Sequence, residues 1–266
     1  EGSKMATLEK VSNLSDSHWY TRDGKPAYTM LKKDGGERGT TLRDARKHTL
    51  LPSVTTIFGI MAKPGLDKWK LNKAIEAALI TDRNDGEPDD RYHDRILQRS
   101  RSEVTEAADL GTRIHDSIDA AFDGAQCHPD LQQYVQPTME YLHSLNLQNI
   151  RREDVVVNQS EGYAGRVDLL ANYGSGNIII DFKTRKTREG EKVTPYDFQP
   201  MQIAAYGHAA FGALDRCYGA NVYISTTEPG RIETAVYKPE QLLKEYDAFL
   251  SMCALWRYIK NYDPRS

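Results

Sequence analysis

Two acidic residues and a lysine occur at a spacing that could build a metal-dependent hydrolytic site. Asp168 lies in the segment GRVDLL, and Asp181 and Lys183 lie in NIIIDFK. Asp181 and Lys183 are two residues apart on a predicted strand, so their side chains leave the same face. A predicted turn at residues 173–176 pairs Asp168 with the end of that strand. The pattern therefore predicts two carboxylates and an ammonium at one end of a sheet, which suits Mg²⁺ or Mn²⁺ and phosphodiester hydrolysis.

A D-x-K triplet is expected roughly once by chance in a chain this long, so the prediction of a catalytic site also depends on three further features. His115 lies on a predicted helix whose Gly and Ala positions allow close approach to the sheet, which would let His115 reach the carboxylates. Gln202 and Tyr206 are four residues apart and share a helix face. A basic run follows the D-x-K motif, either as a solvated loop or as a track for a phosphate backbone. This run comprises Arg185, Lys186, Arg188 and Lys192.

The elements that must position these residues follow from hydrophobic periodicity. A short hairpin is predicted from the β-prone segments 18–20 and 27–30, and Ser53 is predicted to cap a helix that Pro64 and Gly65 interrupt. Further helices are predicted from about residue 66 and over 93–123, 130–146, 198–212 and 239–261, with strands at 155–157, 163–171, 177–183, 218–225 and 231–237 and an exposed loop at 82–91. This order predicts an α/β layered domain with a mixed sheet.

Composition excludes several classes of protein. The 266 residues are 39% hydrophobic, enough for one core or a core with a helical annex. The net charge of -3 indicates no general polyanion binder, so phosphate affinity must come from a local patch or from metal ions. Three dispersed cysteines argue against a disulfide framework, a zinc ribbon and an iron–sulfur cluster, and favour a reducing, cytosolic compartment. The sequence has no apolar run long enough to predict a membrane span.

The chain divides into three predicted parts. Residues 1–4, before Met5, look like an expression scar. Residues 5–100 are predicted to form a hairpin and a helical extension packed on the core, and residues 101–266 form the core itself. Helices of the extension carry Lys63, Lys68, Lys70 and Lys73, and could form either an arch over a DNA channel or a structural cap with a solvated basic face.

Four motifs in order, G-x-x-x-H, G-x-x-D, D-x-K and Q-x-x-x-Y, resemble the RecB-type branch of the PD-(D/E)XK nuclease superfamily. The segments GYAGRVDLL, IIIDFKTRK and PYDFQPMQIAAY are similar to those of phage exonucleases and of the mitochondrial genome maintenance exonuclease. The upstream segment LPSVTTIFGIMAKPGLDKW is similar to the phage members. The resemblance covers about residues 51–62 and 105–210. It implies a restriction-endonuclease-like core with a mixed central β-sheet flanked by helices, plus an N-terminal, mostly helical extension.

The resemblance also implies roles for individual residues. His115, Asp168 and Asp181 match metal-ligand positions, with the backbone carbonyl of Phe182 as a common extra ligand, and Lys183 matches the catalytic lysine. Gln202 and Tyr206 match the motif that positions the DNA strand near the reacting atoms. A glutamate before the hairpin, Glu153 or Glu161, would join the metal site or order its water. Further contacts to DNA are expected from Arg113, Ser53, Thr55 and the four residues of the basic run.

The expected protein is a Mg²⁺- or Mn²⁺-dependent DNA exonuclease with one or two metal ions and no iron–sulfur cluster. It would act on DNA ends or single strands in phage or bacterial recombination, repair or replication. Its location would be the cytoplasm, that of the bacterial host if the chain is phage-encoded, with a recombinase, a helicase or a single-strand-binding protein as a candidate partner. Two alternatives stay open: a structure-selective endonuclease, and a non-catalytic DNA-end-binding module that keeps a nuclease fold.

Overall fold

A computed structural model of the protein describes residues 17–265, except for the side chains of Glu103 and Val104. The predicted expression scar, residues 1–4, and the start of the predicted extension, residues 5–16, lie outside the described residues. The strands are β1 (Trp19–Tyr20), β2 (Thr29–Leu31), β3 (Glu37–Gly39), β4 (Leu51–Pro52), β5 (Gln148–Asn158), β6 (Tyr163–Tyr173), β7 (Gly176–Arg185), β8 (Cys217–Ser225) and β9 (Ile232–Tyr237). The helices are α1 (Leu42–His48), α2 (Val54–Ile57), a 3₁₀ helix (Phe58–Ile60), α3 (Pro64–Leu79), α4 (Asp89–Phe122), α5 (Pro129–Ser144), α6 (Phe198–Phe211) and α7 (Pro239–Lys260).

A five-stranded mixed sheet organises the chain, in the order β5-β6-β7-β8-β9. Strands β7 and β8 run parallel, whereas the other neighbouring pairs are antiparallel. A parallel pair needs a crossover connection, and α6 supplies it. The predicted mixed α/β fold, with helices flanking a mixed sheet, is therefore confirmed.

The two faces of the sheet bury separate apolar clusters, because successive side chains of a strand point to opposite faces. Ile178 and Ile180 of β7 belong to a cluster with Ile114 of α4 and Leu131 of α5. Ile179 belongs to the other cluster, which includes residues of α6 and α7. Burial of each such side chain contributes about 1.5–3 kcal/mol, so the alternation in NIIID fixes which face of β7 each helix layer covers.

The N-terminal segment packs into the cluster that includes residues of α6 and α7. Trp19 of β1 and Phe58 of the 3₁₀ helix are buried there together with Trp256 of α7. The hairpin predicted between segments 18–20 and 27–30 is present at its turn end, where Tyr20 forms an antiparallel bridge with Pro26 and the Ala27 N–H donates to the Trp19 carbonyl at 2.8 Å. The longer pairings are those of β1 with β4 and of β2 with β3. The Asp34-Gly35-Gly36 turn closes the short β2–β3 connection, where Gly35 has φ +85°.

Three further boundaries differ from the sequence predictions. Helix α4 begins at Asp89 rather than at 93, which shortens the predicted loop 82–91. Strand β5 extends over Gln148–Asn158, well beyond the predicted 155–157, because its first half is a polar edge strand without an apolar pattern. The predicted boundary between the extension and the core, at residue 100, falls within helix α4. The division into these two parts stays a prediction. Among the described residues, none of the helices is both long and apolar enough to cross a bilayer.

Candidate active site

The strands β6 and β7 separate at the point where the predicted acidic residues lie. Their backbone pairing runs from the turn to Leu169 and Ile180, and the next residues are Asp168 and Asp181. Beyond this point the carboxylate of Asp168 replaces the strand partner, because its Oδ2 accepts a hydrogen bond from the Phe182 N–H at 2.7 Å. The predicted placement of Asp168 opposite the end of the second strand is confirmed.

Asp181 is the most buried acidic group at this opening, with 3% of its surface exposed. The ammonium Nζ of Lys183 lies 2.7 Å from Oδ1 and 2.6 Å from Oδ2 of Asp181. The amide Nδ2 of Asn221 donates a second hydrogen bond to Oδ2 at 2.8 Å. Charge-assisted contacts of this kind are about twice as strong as neutral ones, so they fix the plane of the Asp181 carboxylate.

Asn221 and Tyr237 belong to the site, although the sequence analysis did not single them out. Asn221 is the register partner of Asp181 across the parallel β7–β8 pair. The hydroxyl of Tyr237 donates to Oδ1 of Asn221 at 2.8 Å, which orients the amide so that its Nδ2 faces Asp181. A buried asparagine inside the otherwise apolar strand segment GANVYI is the signal that could have identified it.

His115 of α4 closes the site from the other side. Its Nδ1 lies 3.7 Å from Oδ2 of Asp168, and its ring contacts Phe182 edge to face at 6.0 Å. The close approach of helix to strand depends on Gly111, where a Cβ atom would lie 3.0 Å from Oγ1 of Thr184. Burial, and then the charge of Lys183, hold the pKa of His115 below its usual value. The imidazole is therefore neutral at pH 7, the form that can bind a metal ion.

The two carboxyl groups at the opening disfavour each other's ionisation. Burial, and next the charge of Asp181, raise the pKa of Asp168, against the effects of Lys183 and of the Phe182 N–H. Burial lowers the pKa of Lys183, but the two carboxylates outweigh it and the net pKa is raised. Lys183 therefore stays protonated, whereas the pKa of Asp168, raised to about 7, leaves that carboxyl partly protonated near neutral pH beside a neutral imidazole. A cation bound here would displace that proton and offset the repulsion between the two carboxylates.

The two candidate glutamates lie in different places. Burial, followed by the charge of Asp168, raises the pKa of Glu153, which lies on β5 beside the opening and 3.5 Å from Arg166. Glu161 lies in the β5–β6 turn, where its carbonyl accepts a hydrogen bond from Arg257. From the start of β6 to Asp168 the strand rises five residues, about 17 Å, so Glu161 does not reach the site.

Gln202 and Tyr206 of α6 form a buried pair next to the carboxylates. Nε2 of Gln202 donates to the hydroxyl of Tyr206 at 3.0 Å. The ring of Tyr206 packs directly on Gly165, where a Cβ atom would lie 2.4 Å from Cε1. The glycine of the G-x-x-D motif and the tyrosine of the Q-x-x-x-Y motif are therefore in physical contact, which explains why both motifs occur together here.

The expected DNA-contacting residues are only partly grouped around the opening. Ser53 is buried and caps α2, since its side chain accepts a hydrogen bond from the Thr56 N–H at 2.9 Å. This confirms the predicted cap and leaves Ser53 inaccessible to a DNA strand. Thr55 and Arg113 are exposed.

The basic run leaves the opening along β7 and its following loop. Nη1 of Arg185 donates to the Thr194 carbonyl at 2.6 Å, and Lys192 is exposed. Arg188 lies 3.9 Å from Glu191, so its charge is partly offset within the loop. Lys186 is exposed at the start of that loop.

The chemistry of the opening fits a hard divalent cation. Two carboxylates and a neutral imidazole are suitable ligands for Mg²⁺ or Mn²⁺, and none of the described residues donates a hydrogen bond to Oδ1 of Asp168. In the described part of the chain, however, no three His, Cys, Asp or Glu side chains are gathered tightly enough to hold a metal ion. Both oxygens of Asp181 are bonded to Lys183 or Asn221, so Asp181 would have to give up one of these contacts to bind a metal ion.

Comparison with known proteins adds a few similarities to this geometry. The sequence matches no protein-family model and no curated protein. The chain is similar to the solved structure of SSO0001, with 18% identity, a TM-score of 0.31 and coverage of 70% of this chain and 86% of that one. It is also similar to a "Putative exonuclease" from Eubacterium rectale, with 12% identity, a TM-score of 0.40 and coverage of 76% and 87%. Both TM-scores lie below 0.5, so neither similarity assigns this chain to a family or a function.

Proposed function

We propose that the opening between β6 and β7 is the active site of a nuclease that hydrolyses phosphodiester bonds of DNA with the help of Mg²⁺ or Mn²⁺. The observation that carries the proposal is that Asp181, paired with the Lys183 ammonium, and Asp168, beside the neutral imidazole of His115, meet at one opening of the sheet. Ionisation of both carboxyls in this partly buried place is unfavourable, as the raised pKa of Asp168 shows, and a bound cation would favour the doubly ionised form.

Each residue has a distinct role in the proposal. Asp168, Asp181 and His115 would hold the metal ion, with the Phe182 carbonyl as a further expected ligand. Such an ion supplies an acidified water and positive charge for the phosphate. Lys183 can donate a proton or a hydrogen bond to an oxygen of the phosphate, because its ammonium lies at the surface of the pair with 28% of the side chain exposed.

The neighbouring residues position this machinery. Asn221 fixes the orientation of Asp181, and Tyr237 fixes that of Asn221. Glu153, whose pKa is raised in part by the charge of Asp168, is the glutamate that would order a water at the site, and Glu161 is not. Gln202 and Tyr206 are as buried as Ser53, so they would support the carboxylates from behind and would not contact the strand, contrary to the expected DNA contact. We further infer that this nuclease is an exonuclease that acts on DNA ends or single strands.

The test combines cleavage with metal binding. Wild type should degrade end-labelled DNA in Mn²⁺ and not with chelator, and Mn²⁺ should raise its thermal midpoint. Asp181→Asn should lose both effects, because the amide removes the buried charge while preserving its shape. Asp123→Asn, an exposed carboxylate on another surface, is the matched control and should behave as wild type.

Circular single-stranded DNA tests whether the protein acts as an exonuclease. An exonuclease leaves the circle intact, whereas linearisation would show an endonuclease. Cleavage that continues in chelator, or an Asp181→Asn variant that cuts at the wild-type rate, would contradict the proposed site.

A further inference from the structure

A row of two aromatic side chains with a cationic side chain at each end extends from the proposed active site. The guanidinium of Arg185 lies over the ring of Tyr196, 4.8 Å from its centroid. The ring of Tyr196 is nearly parallel to that of Phe198, with centroids 5.9 Å apart and an interplanar angle of 12°. The ammonium of Lys63 lies 5.6 Å from the Phe198 centroid. Four side chains from β7, the following loop, α6 and the residue before α3 thus form one row.

Tyr196 is exposed although its position in the chain is fixed. Tyr196 has 54% of its surface exposed. Its backbone N–H donates to Oε1 of Gln199 at 2.8 Å, and the hydroxyl of Tyr223 donates to the same oxygen at 2.7 Å. Gln199 and Tyr223 are buried. These hydrogen bonds fix the loop backbone at Tyr196, so little loop entropy remains to be lost when its ring contacts a partner.

The inner end of the row is fixed by the core. Phe198 contacts Phe58 at 5.7 Å, and Phe58 is buried in the cluster beneath α6 and α7. The aromatic part of the row therefore continues from the apolar core to the surface, and Tyr196 is its exposed end.

The row begins beside the reacting groups. Asp181, Lys183 and Arg185 alternate along β7 and share a face. Lys183 and Arg185 are two residues apart, about 7 Å along the strand, which is close to the length of one nucleotide of an extended strand. A strand whose phosphate lies at Lys183 would therefore bring its next nucleotide to Arg185 and Tyr196.

We propose that an unpaired base of the substrate strand stacks on the exposed ring of Tyr196 in the place that the Arg185 guanidinium occupies in the free protein, while Arg185 and Lys63 turn to the flanking phosphates, so that the site selects single-stranded DNA. This inference rests on the proposed nuclease function for the course of the strand. The physical reason for selectivity is that a base inside a duplex has both faces covered by its neighbours. An unpaired base has a free face, and stacking on an aromatic side chain then raises affinity by roughly tenfold or more.

Binding measured with chelator present separates this inference from cleavage. Fluorescence anisotropy would compare a labelled single strand with a duplex of the same sequence. Tyr196→Ala should weaken single-strand binding by about tenfold and leave the weaker duplex binding unchanged. Tyr196→Phe should stay within about twofold of wild type, since the phenyl ring still stacks. Tyr258→Ala removes an 84% exposed tyrosine from α7 and is the matched control, expected to bind as wild type.

A scan with single abasic sites makes the test specific for stacking. Removing the base at one position of the strand should weaken binding by the wild-type protein about tenfold. Removing the same base should not change the affinity of Tyr196→Ala. Equal abasic profiles in the two proteins, equal losses for single strand and duplex, or undiminished binding by Tyr196→Ala would each overturn the inference. If wild type shows the predicted profile yet cuts no DNA in Mn²⁺, the proposed function fails while the stacking site stands.

Discussion

The contact between Gly165 and Tyr206 gives a prediction whose size follows from the structure. A Cβ atom at residue 165 would lie 2.4 Å from Cε1, 3.2 Å from Cζ and 3.3 Å from Cδ1 of Tyr206. Carbon atoms in contact prefer about 3.5–4.0 Å, so the ring must move by about 1 Å. Tyr206 is buried and bonded to Gln202, which leaves it little room. Overpacking of this kind destabilises by about 1–3 kcal/mol, and we expect about 2 kcal/mol for Gly165→Ala.

A double-mutant cycle in chemical denaturation tests the origin of that loss. Tyr206→Ala alone should cost about 3–5 kcal/mol through the cavity it leaves. In the double variant the obstructing ring is absent, so adding Gly165→Ala should cost nearly nothing, a coupling of about 2 kcal/mol. Gly59→Ala is the control, because a Cβ there meets nothing within 4 Å, and should stay within about 0.5 kcal/mol. Additive losses in the double variant would refute the steric account.

Three other predictions concern single residues. Asp168→Asn should stabilise the metal-free protein by about 1–3 kcal/mol at pH 8 and less at pH 5, measured by thermal unfolding in chelator. The pKa of the Asp168 carboxyl is raised in the folded state, so the folded state keeps its proton up to a higher pH than the unfolded state does. The stability of the wild type therefore falls as pH rises from the unfolded pKa through the folded pKa. Asn221→Leu should destabilise by about 2–4 kcal/mol and slow cleavage, because Asp181 loses a donor and the buried Tyr237 hydroxyl loses its acceptor. Thr49→Gly should stabilise by about 0.5–1 kcal/mol in urea unfolding, since this threonine ends α1 at φ 50°.

Local patterns were sufficient to predict the centre of the site. A short Gly-rich turn fixes the β6–β7 register, and strand alternation then places Asp181 and Lys183 on one face opposite Asp168. Helical spacing with a glycine one turn earlier likewise predicted that His115 approaches the sheet. These inferences need only short stretches of chain and two periodicities, which is why they could be made without a structure.

The residues that were not predicted depend on contacts between distant parts of the chain. Asn221 meets Asp181 only through the parallel β7–β8 register, which joins segments 40 residues apart. Ser53 was expected at the DNA surface, but the bridge between Ser53 and Ala164 and the cap of α2 bury it. Tyr196 lies in a loop without periodicity, so its exposed ring and its contact with Arg185 could not be read from spacing.

The most direct test of the central claim is the rate at which purified Lys183→Ala degrades end-labelled single-stranded DNA in Mn²⁺, relative to wild type. We expect a loss of about 100-fold or more, because proton transfer and charge stabilisation by a positioned group contribute at least that much. Lys244→Ala, an exposed lysine on α7, should cut at the wild-type rate. A Lys183→Ala protein that remains folded and degrades DNA as fast as wild type would contradict the assignment of the opening between β6 and β7 as the active site.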